Sequence, residues 1–395
     1  MLIAKNAEGQ DVSVLSYPSR QMLRQMRKEE TFHCPICKEE VKLKIGNKKI
    51  PHFSHLGHTT CEGESKGESD YHLVGKQQLF TTFQNDYKVE LEPYLISIRQ
   101  RPDLLVKTES EEIPIEFQCA AISTEQLCKR TLTYQRAGYK PIWIIGAKRL
   151  KRVSYYLYEL SPFEWNFLRI SPFFAPFLLY YCSFSQYLIQ LQHIYPFSSK
   201  MAFASVKMIP LQYVNLHHFF PQGIEKSPTL FHAWNQKKKK WRLSYMLYRN
   251  RRYEHFLKTL YEKGIPPSHF PSEGGIPHPM LYQIETPACI WQTYVLIDVF
   301  SKRTSGNLIT WNEIAFSFSK RIKEKEILYR QLPLIPMKDP YAALNEYIER
   351  LCDIGMLKRI EEKRYQLLRP YTLPKTTSDA FLEDAQLIEQ LKQMK

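Results

Sequence analysis

Arg101-Pro-Asp-Leu-Leu-Val-Lys107, Thr108-Glu-Ser-Glu-Glu112 and Ile113-Pro-Ile-Glu-Phe-Gln118 run consecutively, and this stretch decides the fold. Two short apolar runs flank a polar turn, so the pattern predicts two antiparallel strands. Val89-Glu-Leu-Glu-Pro-Tyr-Leu-Ile-Ser-Ile98 adds a third strand upstream and completes a meander. Side chains alternate along a strand, which puts Glu116 and Gln118 on one face and Ile115 and Phe117 on the other. Pro102 fixes its own φ and leaves Asp103 at the strand entrance. Acidic groups at the ends of two neighbouring strands, Asp103 and Glu116, are what a divalent cation needs to grip phosphate oxygens and activate a water. The spacing points to phosphodiester chemistry on nucleic acid.

Working outward, Glu68, His72 and Lys76 are spaced four and four, which stacks them on one face of a helix expected from about Ser69 to Phe83. Downstream, Ser123-Thr-Glu-Gln126 is a capping pattern opening a helix that ends near Gly138. Lys140-Pro-Ile-Trp-Ile-Ile-Gly146 reads as a buried strand. The order is αβββαβ.

That order, with Glu68, Pro102-Asp103 and Glu116-x-Gln118, resembles the restriction-endonuclease-like PD-(D/E)xK nuclease core, whose last motif residue is usually Lys. Within that superfamily the chain resembles the competence protein CoiA family. The likeness rests on Met1-Leu-Ile-Ala-Lys-Asn-Ala7, Cys34-Pro-Ile-Cys37, His52-Phe-Ser-His55, and Glu68-Ser69 followed by His72 and Lys76, and it covers about the first 150 residues. The resemblance implies a role in natural transformation, in processing or recombining incoming single-stranded DNA. The first reading of these residues is a metal-dependent deoxyribonuclease in which Asp103, Glu116 and Glu68 hold Mg²⁺ or Mn²⁺, Gln118 and Lys76 position water and phosphate, and His72 is a further catalytic candidate. The alternative is a DNA-binding accessory factor on a nuclease scaffold, which hands single strands to a recombinase or its loader. Gln118 departs from the family pattern, because an amide orients by hydrogen bonding but brings no charge. Lys76 and Arg130 are the candidates to supply that charge.

Between Phe32 and Cys61 the cysteines and histidines have metal-ligand spacing. Cys34 and Cys37 form a knuckle, and His52, His55, His58 and Cys61 follow. The expectation is a zinc-ribbon-like lobe in which Cys34, Cys37, His55 and Cys61 hold a structural Zn²⁺, with His52 as the substitute for either of the last two. A lobe this small has too little core to stand without such a staple. A Cys34–Cys37 disulfide is the alternative. Cys119, Cys128, Cys182, Cys289 and Cys352 are scattered singly and read as small hydrophobes.

The chain has 395 residues, is 44% hydrophobic and carries 55 Lys and Arg against 40 Asp and Glu, a formal charge of +15. Such an excess suits a polyanionic partner. No basic-then-apolar export signal opens the sequence and no run of about 18 apolar residues follows, so the expectation is a cytoplasmic protein without a membrane span. No glycine-rich phosphate loop is present, which argues against a nucleotide-driven motor.

The expected division is a multi-domain α/β chain: a zinc lobe over 1–65, the nuclease-like core over 66–152, an aromatic-rich helical region over 153–285, a winged-helix-like module over 286–372 and a loosely held tail over 373–395. Aromatics crowd from Tyr155 to Phe220 and read mainly as a helical core. Lys237-Lys-Lys-Lys240 and Arg249-Asn-Arg-Arg252 are candidate phosphate contacts. Helices are expected from Pro287 to Arg303, from the Thr310-Trp-Asn-Glu313 capping box, and from Asp339-Pro340 to Gly355, followed by a hairpin of Met356–Ile360 and Tyr365–Leu368. Glu346 and Glu349 on the third of these helices favour protein docking over groove insertion.

Overall fold

A computed structural model of the chain describes residues 1–56, 61, 68–171, 174–221, 228–244, 251–336 and 338–393. His58 and Arg249 lie outside the described residues, as do the side chains of Arg251 and Arg252. The chain is mixed α/β and divides into two compact units, Met1–Leu150 with Leu178–Leu191 and Lys207–Gln222, and Lys151–Phe177 with Gln192–Val206 and Gly223–Lys395.

The first unit opens with β1 (Ile3–Lys5), β2 (Asp11–Ser13), α1 (Arg20–Glu29), β3 (Phe32–His33), β4 (Glu40–Lys44) and β5 (His52–His55). These strands form an antiparallel sheet in the order β2-β1-β3-β4-β5. Val41, Leu43 and Phe53 are buried and their neighbours are not, the alternation of a sheet with one covered face.

The core follows as α2 (Asp70–Phe83), β6 (Lys88–Leu91), β7 (Leu104–Lys107), β8 (Glu112–Gln118), α3 (Thr124–Arg136) and β9 (Ile142–Gly146), the expected αβββαβ order. Ser69 caps α2 by accepting from the His72 N–H, and Ser123 and Gln126 form the reciprocal capping box of α3. β6, β7 and β8 are antiparallel, with Leu91 opposite Leu104 and Leu104 opposite Ile115. β8 and β9 are parallel, so α3 is the crossover between them. Strand β6 ends at Leu91, short of the expected Ile98, because Glu92 adopts a φ of 48° and Pro93 follows. Helix α2 rides close over the sheet at Gly75, where a Cβ would lie 2.2 Å from the Phe117 ring. Phe117 therefore faces α2. Its neighbour Glu116 and the adjacent Trp143 face α3, where Trp143 Nε1 donates to Thr131 Oγ1 at 3.0 Å.

The remaining elements are β10 (Lys151–Arg152), β11 (Leu157–Glu159), α4 (Pro162–Asn166), β12 (Arg169–Ser171), β13 (Phe174–Cys182), β14 (Tyr187–Pro196) and β15 (Met201–Pro210), then α5 (Pro228–Ser244), α6 (Arg251–Glu262), α7 (Ala288–Val295), β16 (Leu308–Thr310), α8 (Trp311–Lys323), α9 (Ala342–Asp353), β17 (Leu357–Glu361), β18 (Arg364–Leu367) and α10 (Thr377–Gln393). The aromatic stretch is thus built mainly of strands, correcting the helical expectation. β14 buries consecutive residues from Leu188 to Leu191, so no two-residue alternation marks it as a strand, while its aromatic and β-branched side chains suit a pleated surface.

The last third follows expectation in its helices and hairpin, with β16 joining to make a sheet of order β16-β18-β17. Two boundaries shift. Residues Leu296–Phe300 form a π-helical turn after α7, and α9 starts at Ala342, with Asp339 Oδ1 accepting from the Tyr341 N–H at 2.8 Å. The segment after Pro374 is not loose: α10 buries Asp384 against Arg242 and Lys238. Half of the basic run on α5 is committed to this contact, since Lys238 pairs with Asp384 at 2.9 Å and Lys239 lies 4.7 Å from the Phe381 ring centroid. Among the described residues no helix is long and apolar enough to cross a membrane.

Candidate functional site

Four segments of the first unit bring ionisable groups together. Helix α2 presents His72 and Lys76, the residue just before its cap is Glu68, the end of β6 gives Glu92, and the entrance to β7 gives Asp103. Lys76 is fully buried, and its ammonium bonds Glu68 and Glu92 and lies 3.5 Å from Asp103 Oδ1. His72 Nε2 is 3.3 Å from Asp103 Oδ2, and Nδ1 is 3.6 Å from Glu68 Oε1. Asp103 is aimed by the neighbouring strand, because the Phe117 N–H donates to its Oδ2 at 2.8 Å. Glu92 accepts from the Leu2 and Ile3 N–H groups at 2.9 and 3.3 Å, which ties the first sheet to the core.

Electrostatics keep the three carboxylates and Lys76 charged. Burial pushes the Asp103 carboxyl up, but His72 and Lys76 outweigh it and hold it at about 2. Burial likewise opposes ionisation of Glu68, and Lys76 holds its carboxyl well below the ordinary range. Burial disfavours the Lys76 cation, and Glu68 and Glu92 raise its pKa nonetheless. The lysine stays an ammonium.

Glu68, His72 and Asp103 each offer a ligand atom within 4.8 Å of the others. Two carboxylates and an imidazole are donors that a divalent metal ion accepts, so the residue types here could hold one.

Glu116 does not join that group. Its buried carboxylate takes Arg130 and accepts from the Tyr134 hydroxyl at 2.7 Å, and burial pushes its pKa up to about 7 against the pull of Arg130. Gln118 Nε2 donates to the Ala120 carbonyl at 2.8 Å. The pleat explains the separation: β8 turns Glu116 toward α3, whereas Asp103 leans toward α2 from the strand end. The residue overlooked in the sequence is Glu92. Its one signal is an acid at a strand end immediately before Pro93.

Cys34, Cys37, His55 and Cys61 form a second group whose ligand atoms lie within 4.8 Å of one another. Cys34 Sγ and Cys61 Sγ are 3.8 Å apart, and Cys37 Sγ and His55 Nε2 are 3.2 Å apart. A tetrahedral zinc with thiolates at about 2.3 Å places two sulfurs about 3.8 Å apart, so the first pair has the edge length such an ion requires. All three cysteines are free thiols. His52, the alternative ligand, points Nδ1 at the Ile50 carbonyl at 2.9 Å and is outside the group.

Comparison with known proteins matches three family models, described as competence protein CoiA, N-terminal domain over residues 15–64, nuclease-like domain over 68–223 and C-terminal domain over 230–381. The chain is 30% identical over 352 residues to the competence protein CoiA of Bacillus subtilis (strain 168), spanning 88% of this chain and 92% of that protein. No solved structure matches.

Proposed function

The chain belongs to the competence protein CoiA family and carries its nuclease-like domain, and from that premise we propose that it is a cytoplasmic, metal-dependent deoxyribonuclease that processes incoming single-stranded DNA in natural transformation. The observation that carries this reading is the convergence of Glu68, His72 and Asp103 around the buried Lys76.

In this reading Glu68, His72 and Asp103 hold the ion. A bound divalent ion supplies Lewis acidity at a phosphoryl oxygen and a water of lowered pKa. Lys76 takes the part that Gln118 cannot, placing a permanent positive charge where a phosphate approaches Asp103. Arg130, the other candidate, is engaged by Glu116. Glu116 orients the α3 face of the strand that aims Asp103. The Cys34, Cys37, His55 and Cys61 set holds a structural Zn²⁺, since four protein ligands leave no position for substrate. The +15 charge draws the phosphate chain toward acids that would otherwise repel it. The helices and sheet spanning α7 to β18 form a winged-helix-like module for protein docking; Glu346 and Glu349 are paired there with Arg350 and Arg359.

One observation favours the second reading, an accessory factor that passes single strands to a recombinase or its loader. Glu116 and Gln118, the family's motif pair, are both occupied by protein partners.

The test is cleavage of labelled single-stranded and duplex DNA by the purified protein with Mn²⁺, Mg²⁺ or chelator, beside Asp103→Asn and His72→Gln. We expect Mn²⁺-dependent cleavage that falls by about 10²-fold or more in both variants, with salt-sensitive binding retained. Wild-type protein that binds strands but cuts none would establish the accessory reading, and cleavage surviving Asp103→Asn would remove the site.

A further inference from the structure

A cavity of about 370 Å³ lies in the first unit at the ends of β14 and β15, lined by Gln190, Lys207, Asn215, His217, His218 and Phe220. Its volume falls in the range of small-molecule sites. Three of the six lining residues are basic and none is acidic, although the chain has 40 Asp and Glu. Lys207 and His217 are exposed and form no ion pair among the described residues.

The two histidines differ. His218 Nδ1 accepts from the Asn215 N–H at 3.1 Å, which assigns the ring proton to Nε2. No acceptor for that Nε2–H is found among the described residues. Burial, with Lys207 and His217, lowers the basicity of His218, so at neutral pH it is an oriented neutral donor. Gln190, itself buried, donates to the His218 carbonyl and fixes the loop that carries the ring. The cavity therefore combines a permanent cation, two imidazoles and Phe220, which is 38% exposed.

That inventory is complementary to a nucleotide. A lysine ammonium beside imidazole N–H donors suits a phosphate, and an aromatic face suits a stacked base. The place is distinct from the carboxylate cluster. Phe219, beside Phe220, packs on Phe83 at the C-terminal end of α2 with ring centroids 5.5 Å apart. His72 sits one turn into the same helix, roughly 16 Å away along its axis at about 1.5 Å per residue.

We propose that this cavity is a nucleotide-binding site, in which Lys207, His217 and His218 hold a phosphate and Phe220 stacks the base. The polymer assignment, one nucleotide of a single DNA strand, rests on the proposed function above. A free nucleotide would satisfy the same chemistry.

The experiment uses the full chain. Fluorescence anisotropy reports binding of a labelled oligo-dT at several salt concentrations, and calorimetry reports binding of thymidine monophosphate and of inorganic phosphate. The variants are Lys207→Gln with His217→Gln, Phe220→Ala, and Asp103→Asn as the control. We expect the double variant to weaken oligonucleotide binding by about tenfold and to lower the salt slope by about 1 for the lysine contact. Phe220→Ala should weaken binding by about fivefold or more while leaving the salt slope unchanged. Losses confined to thymidine monophosphate would support the site with a free nucleotide as its occupant. Affinities for all three probes that are unchanged in folded variants would overturn the proposal and leave a solvated basic surface. Failure of this site leaves Mn²⁺-dependent cleavage sensitive to Asp103→Asn, whereas failure of the nuclease reading leaves no cleavage to lose while the Lys207 and Phe220 effects persist.

Discussion

Lys76 Nζ stands 3.5 Å from Asp103 Oδ1, and the same ammonium bonds Glu68 and Glu92, so one buried lysine bridges carboxylates from three separate parts of the chain, with the Met1 ammonium pairing Glu68 at 2.7 Å. An arrangement that holds an ammonium among three acids can be rebalanced by a second cation.

Lys76→Met removes the charge and leaves the acids facing one another. Breaking a buried pair by deleting one partner costs about 3–5 kcal/mol, and that is the loss expected in urea unfolding with chelator present. Millimolar Mn²⁺ should restore part of it by binding the folded state. A variant as stable as wild type, or one that Mn²⁺ leaves unaffected, would separate the cluster from metal binding.

The sulfur spacing at Cys34 and Cys61 leads to an expectation of about one tightly held zinc per chain by elemental analysis. Cys34→Ser or prolonged chelation should release it and lower the melting temperature by several degrees. Protein that is metal-free and equally stable would refute the structural zinc.

Arg242 and Asp384 form a bidentate buried pair at 2.7 and 2.9 Å, and Lys238 reaches the same carboxylate at 2.9 Å. Asp384→Leu strands two buried cations and should cost about 3–5 kcal/mol. Adding Arg242→Met should recover much of that loss. Strictly additive losses in the double-mutant cycle would show that the two side chains do not act as a pair.

His278 is buried against Trp291, and neither ring nitrogen has a hydrogen-bond partner among the described residues. Burial, with Arg350, lowers its pKa to about 3. The unfolded value is near 6.5, so the stability that goes with a neutral ring is complete above 6.5 and is lost as pH falls toward 3. The slope is roughly 1.4 kcal/mol per pH unit. His278→Leu should therefore flatten the acid side of the stability profile, by roughly 2 kcal/mol between pH 6.5 and 5. A profile of unchanged steepness would place the acid sensitivity elsewhere.

Some of this was legible residue by residue. Ser69, Ser123 and Thr310 announce their helices because a cap is a hydrogen bond across three residues. The β7–β8 turn is likewise local, and Cys34 and Cys37 share one knuckle. Glu116 shows the limit. Its face of the strand could be read from alternation, but Arg130 and Tyr134, which take up its carboxylate, lie on a crossover helix whose approach no local pattern encodes. Strands β13 and β14 were hidden for a related reason: buried over consecutive residues, they carry no alternation.

By itself the sequence determined the αβββαβ order, the capped helices, the zinc-type ligand spacing and the placement of Glu68, His72 and Lys76 on one helical edge, because all of these follow from contacts within a few residues. Only the tertiary structure decided which acids meet. Glu92 enters the cluster through a left-handed strand end, Glu116 leaves it for Arg130, and Asp384 settles on Arg242, 142 residues away. Charges removed from water must find partners wherever packing brings them, and that choice is made by the folded chain as a whole.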